Sequence, residues 1–285
     1  MKKIIQCVCI VMAAVILSAP AMADTSEDPK DYPWKRGYLN LGVYLATMDS
    51  AFKLSETNLG IGLTLDVEEF LQLDTSDTSF RIDAGYRFGK TRRHKVEFSW
   101  FKFHREGSRN LTDEVDLPPD LGGGTIGPGE ITSLFNFDIY KLKYEYSFVF
   151  DNRADLNLGL GLYVMPIEFG LSAVINGVFR GDVKEDITAP LPVVGLGFDF
   201  AITPKWIIRQ QVDLFYLEYG DFAGGIQSIN FALEWLTWKH VGFGLGVDAM
   251  RVFVEANGSD YPGVDFRGDV EFSYLGAQLY LKAYF

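Results

Sequence analysis

Apolar and mixed positions alternate with a period of two along most of this chain. The clearest case is residues 275–285, where Leu275, Ala277, Leu279, Leu281, Ala283 and Phe285 alternate with Gly276, Gln278, Tyr280, Lys282 and Tyr284. A strand with one uniformly apolar face and one mixed face lies between two different solvents. The same rhythm puts Leu39, Leu41, Val43 and Leu45 on one face near the start, against Tyr38, Asn40, Gly42, Tyr44 and Ala46. It recurs with Phe80, Ile82, Ala84, Tyr86 and Phe88 against Arg81, Asp83, Gly85 and Arg87. Charges at alternate positions rule out a strand buried in apolar surroundings on both faces and suit a barrel wall with a polar interior.

Ten such segments are predicted. Val96, Phe98 and Trp100 face outward from the third, and Leu142, Tyr144, Tyr146 and Phe148 from the fourth. Phe101 and Phe103 break the parity of the third, and Phe135, Phe137 and Ile139 break that of the fourth. Bulges account for these slips, one near Trp100 and one at Ile139 or Tyr140. The fifth turns Leu156, Leu158, Leu160, Leu162 and Val164 outward, the sixth Val194, Leu196, Phe198 and Phe200, and the seventh Ile208, Val212, Leu214 and Tyr216. The eighth and ninth show Ile229, Phe231, Leu233 and Trp235, then Val241, Phe243, Leu245 and Val247. Long connections at about 49–78, 105–131, 174–188 and 255–268 alternate with short ones at 89–94, 151–154, 202–205 and 236–240. The expected fold is all-β, a closed antiparallel transmembrane barrel of about ten strands. Eight strands result if two weak ones are loop, and twelve if residues 59–65 add a pair.

The N-terminus divides the chain further. Lys2 and Lys3 precede an apolar run and then Ala21-Met22-Ala23, the pattern of a secretory signal peptide over residues 1–23. Residues 24–37 then read as a periplasmic lead and residues 38–285 as the barrel. Both cysteines, Cys7 and Cys9, lie in the signal, so thiol chemistry and cysteine-built zinc sites are excluded from the mature chain. Losing two lysines leaves 24 of the 26 basic residues against 38 acidic ones, so the net charge moves from −12 to −14. Nucleic acid is excluded as a partner for such a surface.

The alternation that ends on Phe285 resembles the C-terminal strand of bacterial outer-membrane β-barrel proteins, and the pattern over residues 38–285 is similar to the small OmpA-like and OmpW-like barrels. The resemblance implies the cell outer membrane as location, periplasmic termini, contact with outer-membrane lipid and lipopolysaccharide, and a terminal strand read by the barrel-insertion machinery. It names no external partner.

Candidate chemistry is sparse. His94 and His240 fall in short turns, and His104, beside Arg105 and Glu106, lacks the arrangements that proteases and deacylases of this class use. Acidic residues crowd two long connections, Asp66, Glu68, Glu69, Asp74 and Asp77 in one and Asp113, Glu114, Asp116 and Asp120 in the other, at spacings that match no calcium loop. Residues 65–73 fit a short helix over the barrel mouth. No catalytic, cofactor-binding or metal-ligating set is assigned. What remains is a lumen charge network, taken from parity alone: Arg81, Asp83, Arg87, Lys95, Glu97, Lys141, Lys143, Glu145, Arg209, Asp213, Glu234 and Asp248. In a barrel this narrow, mixed charges are expected to pair across neighbouring strands and plug the lumen. A structural or surface-interaction role follows, with a narrow channel for small solutes or ions as the alternative and a rim enzyme behind both.

Overall fold

The computed structural model describes residues 33–55, 62–66, 75–111, 115–117, 124–126, 129–175, 178–220, 222–256 and 268–285. Ten long strands build the wall: β1 (Gly37–Ser55), β2 (Ser76–Phe88), β3 (His94–Leu111), β4 (Gly129–Phe150), β5 (Ala154–Ile175), β6 (Val178–Thr203), β7 (Trp206–Tyr219), β8 (Phe222–Trp235), β9 (Val241–Ala256) and β10 (Gly268–Tyr284). Each pairs antiparallel with the next, and β10 returns to β1 from Tyr284 opposite Tyr38 to Gly268 opposite Leu54. Closure removes every free wall edge, so all ten strands satisfy their backbone groups without water. The ribbon Gly62–Asp66 pairs with the far end of β1, and Val115–Leu117 pairs with Gly124–Ile126. Neither adds a wall strand.

The outer face is apolar because it cannot be anything else in hydrocarbon. Leu160 and Leu279 are 65% and 62% exposed, and Leu45, Leu142, Leu158, Val194 and Leu245 stand out beside them. Aromatics flank this aliphatic band. Toward the short turns lie Phe88, Tyr146, Trp206, Trp235, Trp238 and Phe243, with Trp206 stacked on Trp235 at 5.6 Å. On the other side lie Phe80, Tyr140 and Tyr216, with Trp100 stacked on Tyr140 at 6.5 Å. Two aromatic girdles around an aliphatic belt are the surface a transmembrane barrel presents.

The parity breaks have a different cause from the one expected. β3 pairs with β4 in unbroken register from His94 opposite Tyr146 to Leu111 opposite Gly129, so no bulge sits at Trp100. β4 keeps one register with β5 on both sides of Ile139, and its register shift falls between Ser147 and Val149. Phe101, Phe103, Phe137 and Ile139 follow regular alternation and point inward, Phe101 with 0% exposure. Apolar side chains there face other apolar side chains inside the barrel. The connection expected at 174–188 is mostly strand, since β5 runs to Ile175 and β6 starts at Val178. The signal peptide, most of the lead, and Glu68, Glu69, Asp74, Asp113, Glu114 and Asp120 lie outside the described residues, as does most of the segment read as a short helix.

Candidate functional site

Three strata fill the lumen. Nearest the short turns, Trp34, Phe150, Ala201, Ile207, Leu236 and Tyr284 form an apolar cluster. Trp34 belongs to the segment read as lead, yet it is buried, and its indole N–H donates to the Asp151 carbonyl at 2.6 Å. Nearest the long loops, Tyr44, Phe101, Phe103, Phe137, Tyr163 and Tyr274 pack with Ile139, Met165, Ile226 and Met250. Ring centroids there lie 4.8 Å apart for Phe103 and Phe137 and 5.5 Å for Tyr44 and Phe101. Between these two apolar layers sits the charge.

The charged stratum is built from pairs that reach across the lumen as well as along the wall. Lys95 of β3 lies 2.9 Å from Glu97 and 2.6 Å from Glu145 of β4. Lys143 lies 3.0 Å from Glu145 and 2.7 Å from Asp213 of β7. Arg209 of β7 meets Asp199 at 3.1 Å, Glu97 of β3 at 3.4 Å and Glu234 at 3.6 Å. Glu234 also holds Lys282 at 2.8 Å. Nine side chains from six strands thus form one continuous chain of ion pairs. Arg81 makes a second group, 2.9 Å from Asp83 and 3.5 Å from Asp248 of β9. Arg87 pairs separately with Asp155 near the turn end. Asp155 and Asp199 face each other directly on β5 and β6, and the arginines Arg87 and Arg209 each neutralise one of them.

Tyrosine hydroxyls complete the carboxylate coordination. Tyr38 donates to Glu97 at 2.6 Å, Tyr280 to Glu234 at 2.9 Å and Tyr274 to Asp248 at 2.6 Å, while Tyr163 donates to Asp213. A buried carboxylate is tolerated when cations and donors occupy its lone pairs. Glycine placement makes these approaches possible. Gly244 stands between Glu234 and Tyr280 in the register, and a Cβ there would lie inside the Tyr280 ring.

All twelve residues assigned by parity fall in this stratum, but they do not form one group. Lys141 is set apart: it is 6% exposed and makes no ion pair among the described residues. Its Nζ lies over the rings of Tyr163 at 4.8 Å and Phe101 at 5.2 Å. Sequence reasoning missed Asp155, Asp199 and Lys282, all at inward parity, and the four tyrosines. A space of about 70 Å³ runs through the stratum, with Asn40, Asn157 and Lys141 on its wall. Asn157 is 1% exposed, and neither its amide nitrogen nor its oxygen has a protein partner among the described residues. At about 10–15 Å³ per water such a space has room for roughly five.

His104 lies outside the lumen. It is exposed near the loop end of β3, its Nε2 3.0 Å from Glu106, and its backbone N–H donates to Asp77 at 2.8 Å. No group of His, Asp and Glu side chains among the described residues is arranged to hold a metal ion.

The outer membrane protease OmpT from Escherichia coli matches this architecture with a TM-score of 0.54, over 87% of this chain and 97% of that one, at 11% identity. The fold is that of the outer-membrane β-barrel proteins. The translocator domain of the autotransporter NalP from Neisseria meningitidis is similar at a TM-score of 0.49 and 9% identity, over 90% of each chain. The toluene transporter TodX from Pseudomonas putida gives 0.35 at 8% identity, over 92% of this chain and 94% of that one. No family model matches the sequence of this outer-membrane-type barrel, and no curated protein does.

Proposed function

We propose that this protein is a closed outer-membrane barrel whose role is structural or one of surface interaction, and that its lumen does not conduct. The observation that carries this reading is the layering of the interior, with a paired charge stratum held between two apolar ones. An ion crossing it would have to displace buried ion pairs and then part a packed aromatic cluster, each at a cost of several kcal/mol. In this reading residues 1–23 are removed on export, the short turns and both chain ends lie in the periplasm, and the long loops face outward. Outer-membrane lipid and lipopolysaccharide surround the wall, and the insertion machinery receives the strand ending at Phe285.

Planar-bilayer recording of the pure protein is the test, and a flat baseline is the expected result. Stable ion-selective openings, altered by Arg81→Ala or Glu97→Ala, overturn the closed reading. The space of about 70 Å³ favours the narrow channel as second reading, because it is lined by polar side chains within the charged stratum. An enzyme is the third. His104 carries it poorly, since its imidazole meets only Glu106, two residues away on an exposed strand, and the nearby Asp77 carboxylate is engaged by the His104 backbone N–H.

A further inference from the structure

The chain is acidic overall, with a net charge of −12, yet most of the charged side chains described at its short-turn rim are basic. Antiparallel closure brings six segments to that end: the entry to β1, the turns β2–β3, β4–β5, β6–β7 and β8–β9, and the end of β10. The entry carries Lys35 and Arg36, and the first turn carries Lys90, Arg92 and Arg93. The remaining turns carry Arg153, Lys205 and Lys239. None of these eight cations makes an ion pair among the described residues, although Arg93 donates to the Ser147 and Phe148 carbonyls at 3.0 Å, and six of them are exposed. Among the described residues these segments hold a single side-chain carboxylate, Asp151. It is engaged in its own turn, accepting from the backbone N–H groups of Arg153 at 2.8 Å and Ala154 at 2.7 Å.

This ring of charge lies directly against the aromatic girdle. Arg36 sits over the Tyr86 ring at 5.7 Å, and Arg153 over Phe200 at 5.7 Å. Trp206, Trp235 and Trp238 stand exposed beside Lys205 and Lys239. Amphipathic rings mark the depth at which headgroups begin. Unpaired cations just beyond that depth meet phosphates, each worth about 1 kcal/mol near an anionic surface.

We propose that the short-turn rim is a phospholipid-binding collar that selects anionic glycerophospholipid headgroups from the leaflet around it. The proposal rests on the membrane-spanning reading above, and it assigns the basic charge to the end opposite the acidic loops. The two ends of one barrel then face chemically different leaflets.

Fluorescence quenching tests it, because of the five tryptophans Trp206, Trp235 and Trp238 stand exposed at this end, while Trp34 is buried in the lumen and Trp100 lies toward the other end. The full mature chain is refolded into phosphatidylcholine vesicles containing equal amounts of phosphatidylglycerol, with bromine placed high on the acyl chain of one lipid or the other. Brominated phosphatidylglycerol is expected to be enriched about fivefold over brominated phosphatidylcholine at the protein, the ratio that about 1 kcal/mol gives, and the preference should fall as salt is added. The variant Lys90→Gln/Arg92→Gln/Lys205→Gln/Lys239→Gln should lose it, and the charge-keeping variant Lys90→Arg/Lys205→Arg/Lys239→Arg should retain it. Equal quenching by the two lipids in the wild type overturns the collar. So does a preference that appears only when Asp24, Glu27, Asp28 and Asp31 are all amidated by substitution, since the acidic lead would then be the occupant. No quenching by either lipid refutes membrane insertion itself.

Discussion

Lys143 reaches Asp213 at 2.7 Å because two glycines lie between them on the wall. Gly161 is the residue opposite Lys143 on β5, and Gly195 is opposite Asp213 on β6. The lysine stem runs over this bare patch, with its Cγ close to Gly161 and its Nζ close to Gly195. Replacing Lys143 by Met leaves the Asp213 carboxylate buried with only Tyr163 as donor. Stability in lipid vesicles, read by urea unfolding, is expected to fall by about 3–5 kcal/mol. Lys143→Met combined with Asp213→Leu should recover most of that loss, because no charge is then stranded.

Gly244→Val probes the same device at a second place. A side chain there collides with the Tyr280 ring and separates Tyr280 from Glu234. Overpacking of about 1–3 kcal/mol is expected, together with loss of one hydrogen bond to a buried carboxylate. The folded fraction on heat-modifiable gels should drop, and Gly244→Ala should drop less.

Phe103→Ala separates packing from closure. Phe103 is almost wholly buried against Tyr44, Phe101, Phe137 and Tyr274, so truncation should cost about 3–5 kcal/mol. The bilayer baseline should nevertheless stay flat, because the ion-pair stratum below is untouched. Conductance is expected only when Phe103→Ala is joined to Glu97→Ala and Arg209→Ala.

The outer belt sets the solvent requirement. Leu158, Leu160 and Leu162, with Leu245 and Leu279, cover a surface that no element of the described chain shields. The protein is therefore expected to fold only in detergent or lipid, with β-rich circular dichroism and gel mobility that changes on boiling. A monodisperse folded species purified without detergent would falsify the membrane-spanning reading.

Strand number and inward parity could be read from the sequence because lipid imposes one uniform demand on every second residue. The interior imposes no such uniform demand. Phe101, Phe103, Phe137 and Ile139 looked like register slips under the assumption that apolar means lipid-facing, whereas the lumen turns apolar toward the loop end. Consecutive apolar residues such as Trp100 and Phe101 are the signal of a strand with apolar surroundings on both faces. Lys282 and Asp199 could have been found by the parity that yielded Glu234. The partner of Arg209 on β3 was beyond reach, since a contact across the lumen leaves no trace in local pattern.

The ion pairs of Arg209 and Glu234 also bear on how the barrel forms. Arg209 needs Glu97 from β3, Asp199 from β6 and Glu234 from β8, and Glu234 needs Lys282 from the last strand. An open sheet that has grown strand by strand still lacks some of these partners, and every exposed charge it carries inward is uncompensated in hydrocarbon. Partly zipped states are thereby raised in energy relative to both the unfolded chain and the finished ring. Folding kinetics should accordingly be all-or-none, with the joining of β10 to β1 as the event that commits the chain.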